Sequence, residues 1–348
     1  MPMNRHNPAL IAVLLLCALL VGIGTTPGSA LAQTYGNCTI APSTITIGET
    51  GSFNVASQVQ SGSGATGFSC SSLLVVATTS YIKFRVDAST FLLTRTGGTQ
   101  TIPFTLSSTS GGAALGVGSE VDLSTTALLG LFSGPNNSIP LYVRTTPTSG
   151  LAAGTYTGTV ALRWYFSVCT IGALNACAGT SNSPGATRSG LLGPLTSWGT
   201  GAPVTVTVTL NVLPDCQITA PDLAFGTAPL AGSFNPVTRT ISVRCSFGSS
   251  YTVGLGNGQN FSGTRRMREG TSANYLNYEI YRGNSVSAGR WGSAITAERR
   301  SSAAADTNPG IYDGSTLQGF TYRAVIDPAQ TTPAAGTYAD TIIVDIAF

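Results

Sequence analysis

The chain has 348 residues, of which 9% are charged and 42 are glycine, and its formal net charge is +3. So low a charge is unlike a basic nucleic-acid binder, while the glycine, serine and threonine content suits an exported β-protein built of short strands and turns. The length is enough for two domains.

The first 32 residues read as a signal peptide: Arg5 supplies a positive start, Ala9–Gly24 is an apolar run, and Ala30-Leu31-Ala32 is a small-x-small cleavage site. The apolar run is 16 residues, shorter than the roughly 20 of a membrane span. No later segment approaches one, so export without membrane insertion is expected. Leu16 before Cys17 is too large for a lipoprotein signal. Cleavage after Ala32 leaves Cys38, Cys70, Cys169, Cys177, Cys216 and Cys245. An even number in an exported chain reads as disulfides. Six cysteines allow fifteen pairings; their spacing suggests Cys38–Cys70, Cys169–Cys177 and Cys216–Cys245. No CxxC pair is present and the only histidine, His6, leaves with the leader. No metal, no cofactor and no histidine-based catalysis are expected, and the chain does not read as an enzyme.

Residues 33–213 hold ten charged side chains against twenty in 214–348. Three apolar stretches broken by glycine mark the charge-poor half. Thr126–Asn137 carries Leu128, Leu129, Leu131 and Phe132. Val168–Cys177 carries Ile171 and Leu174. Ser189–Gly199 carries Leu191, Leu192, Leu195 and Trp198. They read as surface loops, and exposed apolar loops mark an interaction site. Val204–Val212 (VTVTVTLNV) alternates as a half-buried strand does, and Leu213-Pro214-Asp215 fits a boundary. Beyond it, Arg265-Arg266-Met267-Arg268 reads as a solvated strand or loop.

The halves read as distant repeats. GNCTIAPSTITIG at 36–48 parallels PDCQITAPDLAFG at 214–226, and AAGTY recurs at Ala152–Tyr156 and Ala334–Tyr338. After the first AAGTY the chain continues to Val204–Val212, a candidate closing strand. After the second, Ile342, Val344, Ile346 and Phe348 share one face by period-two alternation, with no closing strand to follow.

The second half resembles the spore coat protein U domain family, the subunit domain of archaic (Csu-type) chaperone–usher pili. The resemblance rests on CQITAPDLAFG (Cys216–Gly226), TISVRCSFGSSYTVGLGNG (Thr240–Gly258), RRM, LNYEIYR (Leu276–Arg282), Trp291-Gly292 and the terminal AAGTYADTIIVDIAF. The first half is similar mainly at its cysteine pair and AAGTY. The whole is similar to the two-domain tip subunit of such pili, with an adhesin domain at 33–213 and a pilin domain at 214–348.

The resemblance implies an all-β chain of two immunoglobulin-like sandwiches, the second one incomplete. Its partners would be a periplasmic pilus chaperone, an outer-membrane usher and an adjacent subunit that donates a strand along the edge formed by Ile342, Val344, Ile346 and Phe348. Gln33–Asn37 is too short an arm to donate one in turn, which points to the end of a fibre. The expected function is attachment of cells to abiotic or host surfaces, and so biofilm formation, through the exposed apolar loops. A glycan lectin using Tyr142, Trp164, Tyr165 and Trp198 is the alternative, and a structural subunit without a binding role is another.

Overall fold

The computed structural model describes residues 31–71, 73–190 and 193–348, with the backbone alone at Leu129 and Asn136; the leader through Ala30 lies outside the described residues. Strands dominate these residues, with one short α-helix, Ser52–Ser57, and several 3-10 turns. Among the described residues no helix is long and apolar enough to cross a membrane.

The first half is organised by the 20-residue strand Gly154–Ala173. Val204, Val206, Val208, Leu210 and Val212 alternate along Ala202–Leu213, so period two sends all five to one face, where none is more than 6% exposed. This strand runs antiparallel to the long strand over eleven register pairs, from Gly154–Val212 to Trp164–Ala202. Its other edge runs parallel to Ser43–Gly51. The half therefore closes with its own strand. The core below is aromatic: Phe68 lies 4.8 Å from Trp164 and 4.7 Å from Phe166, centroid to centroid.

The second half has its own core, around Ile241, Val253, Trp291 and Phe320. One face is a six-stranded sheet in the order Cys216–Thr219, Val237–Cys245, Gln318–Ile326, Tyr275–Arg282, Arg265–Glu269, Tyr338–Ala339. The other is a three-stranded sheet, Arg300–Ser301, Thr252–Leu255, Val344–Ala347. Arg265 corrects the reading of its stretch as solvated: it is fully buried. Burial lowers its pKa, but its guanidinium is fully engaged. It donates to the carbonyls of Leu255 at 2.8 Å, Gly256 at 2.7 Å and Trp291 at 2.8 Å, and pairs with Glu279. A buried cation persists only when so partnered. Arg266 and Arg268 of the same stretch stack on Tyr275.

Each half carries the same corner. Tyr156 Oη donates to the Ala152 carbonyl at 2.8 Å and Tyr338 Oη to the Ala334 carbonyl at 2.6 Å, so AAGTY is a tyrosine corner leading into a strand. The structure joins Cys38 to Cys70, Cys169 to Cys177 and Cys216 to Cys245. The first and third link directly opposed residues of adjacent strands, at equivalent places in the two halves. The halves touch through Ser52 Oγ and Ser246 Oγ, 2.7 Å apart and buried, and through Phe247 N–H donating to the Leu151 carbonyl at 3.0 Å.

Candidate functional site

Two surfaces stand out, one in each half. The first is a groove. Val344–Ala347 pairs antiparallel with Thr252–Leu255, and among the described residues no strand lies on its other edge. Residues 220–230 form no strand either. Leu223 and Phe225 of that segment, Tyr338, Ile342 and Val344 of the terminal segment, and Ile241, Met267, Ile280 and Tyr322 of the six-stranded sheet line an open groove of about 460 Å³.

The first half shows what fits such a place. Tyr156 and Tyr338 are 182 residues apart, an offset that maps Val160, Leu162, Trp164 and Phe166 onto Ile342, Val344, Ile346 and Phe348. All four first-half residues are fully buried. The offset of 178 between Cys38 and Cys216 maps Ser43–Gly51 onto 221–229. In the first half Ala202–Leu213 lies between the two mapped strands and hydrogen-bonds to both. In the second half the mapped segments border the groove.

Ile342, Val344 and Ile346 pack partly against the core. Phe348 departs from the expected row: it is 59% exposed. The pairing ends at Ala347–Thr252, and Phe348 has nothing like the Phe68 and Tyr35 rings that hold Phe166. The terminal segment is otherwise clamped. Arg299 Nη1 lies 2.6 Å from Asp345 Oδ2 and its Nε donates to Thr252 Oγ1 at 2.9 Å. Tyr278 Oη donates to Asp340 Oδ2 at 2.7 Å inside the groove, and burial, reinforced by that carboxylate, drives the tyrosine pKa far above its ordinary value. The groove therefore has a fixed apolar wall and an edge of backbone groups open to one more strand.

The second surface is an apolar tip. Leu74–Val76 runs parallel to Ile171–Ala173 at the end of the long strand, and Leu174 N–H donates to the Val76 carbonyl at 3.1 Å. This brings together Leu74, Val76, Ile171 and Leu174, which are 74%, 69%, 55% and 83% exposed. Leu174 and Asn175 form the turn with φ of +50° and +69°, the two positive values of a type I′ turn. Asparagine suits that region; leucine is disfavoured there. The chain thus holds an apolar side chain at the outermost point of the hairpin at a conformational cost, with the Cys169–Cys177 bridge bracing the hairpin behind it.

Several residues expected in surface loops lie elsewhere. Leu128 and Phe132 belong to the core, at 3% and 9% exposure. The 3-10 turn Leu128–Gly130 folds the stretch back, so that Phe132 meets Phe68 at 5.8 Å and Leu131 packs half-buried beside it. Leu195 and Trp198 sit half-buried in a hairpin with Ala186–Arg188, where the Trp198 ring takes Lys83 Nζ at 4.9 Å. Leu191, Leu192 and the side chain of Leu129 lie outside the described residues. Of the possible lectin aromatics, Trp164 is fully buried and Tyr165 is 8% exposed. Leu74 and Val76 escape a sequence reading because SSLLVV resembles an ordinary core strand and has no glycine to mark a loop.

This placement has a direct check. Phe132→Ala should cost about 3–5 kcal/mol of stability in chemical denaturation, as a buried aromatic does. Leu174→Ser should stay within about 0.5 kcal/mol of the parent.

A family model, the Spore Coat Protein U domain, matches residues 25–163 and 202–345. Among solved structures, a chain of the CsuC–CsuE chaperone–tip adhesion subunit pre-assembly complex from the archaic chaperone–usher Csu pili of Acinetobacter baumannii is similar. It is 30% identical with a TM-score of 0.66, over 89% of this chain and 100% of that one. Two structures of CfaE, the adhesive subunit of the CFA/I fimbria of enterotoxigenic Escherichia coli, align at 11% and 10% identity over 88% of this chain and 92% of theirs. Their TM-scores are 0.30 and 0.29, too low to support an argument. No curated protein sequence matches the chain.

Proposed function

This chain belongs to the Spore Coat Protein U domain family, and from that premise we propose that it is the tip adhesin of a chaperone–usher pilus, a binding rather than a catalytic protein. Residues 33–213 act as the adhesin domain and 214–348 as the pilin domain. The observation that carries the proposal is the groove beside Val344–Ala347, whose filled counterpart is built into the first half. A periplasmic chaperone occupies it first with a strand of its own, and the N-terminal segment of the next subunit replaces that strand at the outer-membrane usher. The donated strand runs antiparallel to Val344–Ala347 and parallel to 221–229, as Ala202–Leu213 does relative to its neighbours. The similarity to a chain of a chaperone–tip subunit complex supports this assembly and the position at the tip.

The tip meets surfaces through Leu74, Val76, Ile171 and Leu174, abiotic or host, by apolar burial with little charge selectivity. Attachment through many such pili supports biofilm formation. The test is where the protein sits. Immunogold against residues 33–213 should label one end of each fibre, and the subunit should copurify from the periplasm with a chaperone. Label along the whole fibre would make it a shaft subunit and overturn the reading.

A further inference from the structure

We propose that a second groove of the first half, around Tyr142 and Arg144, binds a carboxylated sugar, a uronate unit of an acidic polysaccharide. Tyr142 and Arg144 stand two positions apart on the strand Ser138–Thr145, on one face of it and about 6.6 Å apart along it. The alternate residues Leu141 and Val143 are fully buried, so the pleat turns Tyr142 and Arg144 outward. Ser63 and Ser61 lie opposite them on the neighbouring strand, and Ser107 and Thr105 on the other side. An open groove of about 490 Å³ runs here, lined by Ser61, Ser63, Ser110, Gly111, Tyr142 and Arg144. None of its lining residues is acidic. At its rim Gly111 leaves the backbone bare: an added Cβ would meet nothing within 4 Å.

Arg144 differs from the other cations of this half. Lys83 pairs with Glu120 at 2.9 Å, and Arg85 and Arg163 share Asp87 at 2.8 and 2.7 Å. Arg95 donates to the Ala153 carbonyl and Arg188 to Ser167 and Thr79. Among the described residues the Arg144 guanidinium has no hydrogen-bond, ion-pair or ring partner; Thr105 Oγ1 reaches only its carbonyl oxygen, at 3.3 Å. In a domain this poor in charge, an unengaged guanidinium beside an aromatic ring in a hydroxyl-lined groove is a recognition element.

The ligand class follows from the three kinds of group present. A guanidinium fork matches a carboxylate in two parallel hydrogen bonds. The Tyr142 ring offers an apolar face to the C–H face of a pyranose. Serine hydroxyls both donate and accept, as sugar hydroxyls require. A neutral sugar would leave the fork unused. Inorganic phosphate would use the fork alone. A uronate uses all three, and the strand spacing between ring and fork suits a pyranose whose carboxylate projects from one end. The site lies apart from the apolar tip and does not rest on the pilus reading.

Calorimetric titration of the full secreted chain with tetragalacturonate tests it. Binding should saturate and weaken with added salt, and the neutral galactose tetramer should bind at least about tenfold more weakly, the expected effect of losing one charge-assisted contact. Arg144→Gln and Tyr142→Ala should each lower affinity by about tenfold with unchanged unfolding temperature, whereas Tyr142→Phe should retain it. Absence of binding, equal binding by Arg144→Gln, equal binding of the neutral tetramer, or displacement by inorganic phosphate at matched concentration would each overturn the proposal.

Discussion

Appending a flexible linker and a second copy of Ala202–Leu213 to the end of the full chain raises the unfolding midpoint of the second half by about 10 °C or more. The copied strand already fills the equivalent place in the first half, where its Val204, Val206, Val208 and Leu210 stand opposite Val160, Gly158 and their neighbours. Transferred by the 182-residue offset, the copies of Val204, Val206, Val208 and Leu210 stand opposite Val344, Ile342, Asp340 and Tyr338, and the copy of Ala202 opposite Ile346. Each Val or Leu taken out of water contributes about 1.5–3 kcal/mol, and the open edge of Val344–Ala347 gains a ladder of hydrogen bonds. A net gain of about 2–3 kcal/mol is enough for the stated shift. Replacing the copied valine that corresponds to Val206 with aspartate should abolish the gain, because a carboxylate would be buried without a partner. The readout is two-transition calorimetry with and without the extension. If the parent chain already unfolds in one cooperative step with the second half as stable as the first, and the extension changes nothing, the groove is not an acceptor.

The same comparison shows how the fold can be read from the sequence and where that reading stops. Period-two alternation in VTVTVTLNV places its valines inward because burial of one face is the only use for such a pattern, and the structure buries them. The repeated AAGTY marks the same tyrosine corner twice because a phenol reaching back four residues is a local geometry. The tip is another matter. Leu128 and Phe132 in a glycine-broken stretch look like loop apolars; only the long-range meeting of Phe132 with Phe68 places them in the core. Leu74 and Val76 look like core. They are exposed because their three-residue strand is held at the end of Gly154–Ala173, out beyond the strand Ala202–Leu213 that stops at Trp164. Arg265 looks like surface, and is buried because three carbonyls and a carboxylate converge on it. In each case the deciding contact joins residues distant along the chain, which local pattern does not encode.

Attachment of piliated cells to a hydrophobic surface should fall at least about a hundredfold in the double variant Leu74→Ser/Leu174→Ser, with unfolding unchanged. Both side chains are largely in water already, at 74% and 83% exposure, so little folding energy is at stake. On contact, each apolar side chain pressed against a surface recovers up to about 1.5–3 kcal/mol. Two of them together correspond to about two decades or more in the binding constant. Leu174 should be the more sensitive position, because the positive φ of the turn and the Cys169–Cys177 bridge hold it outermost before contact, so little ordering entropy is lost on binding. Leu174→Asn separates the two roles of the residue. Asparagine relaxes the turn and removes the apolar contact, so attachment should fall while stability holds or rises slightly. Quantifying retained cells after washing, alongside fibre counts by electron microscopy, distinguishes loss of contact from loss of assembly. Attachment that survives the double variant at unchanged fibre number would show that Leu74 and Leu174 are not the contact, and would overturn the assignment of attachment to this apolar tip.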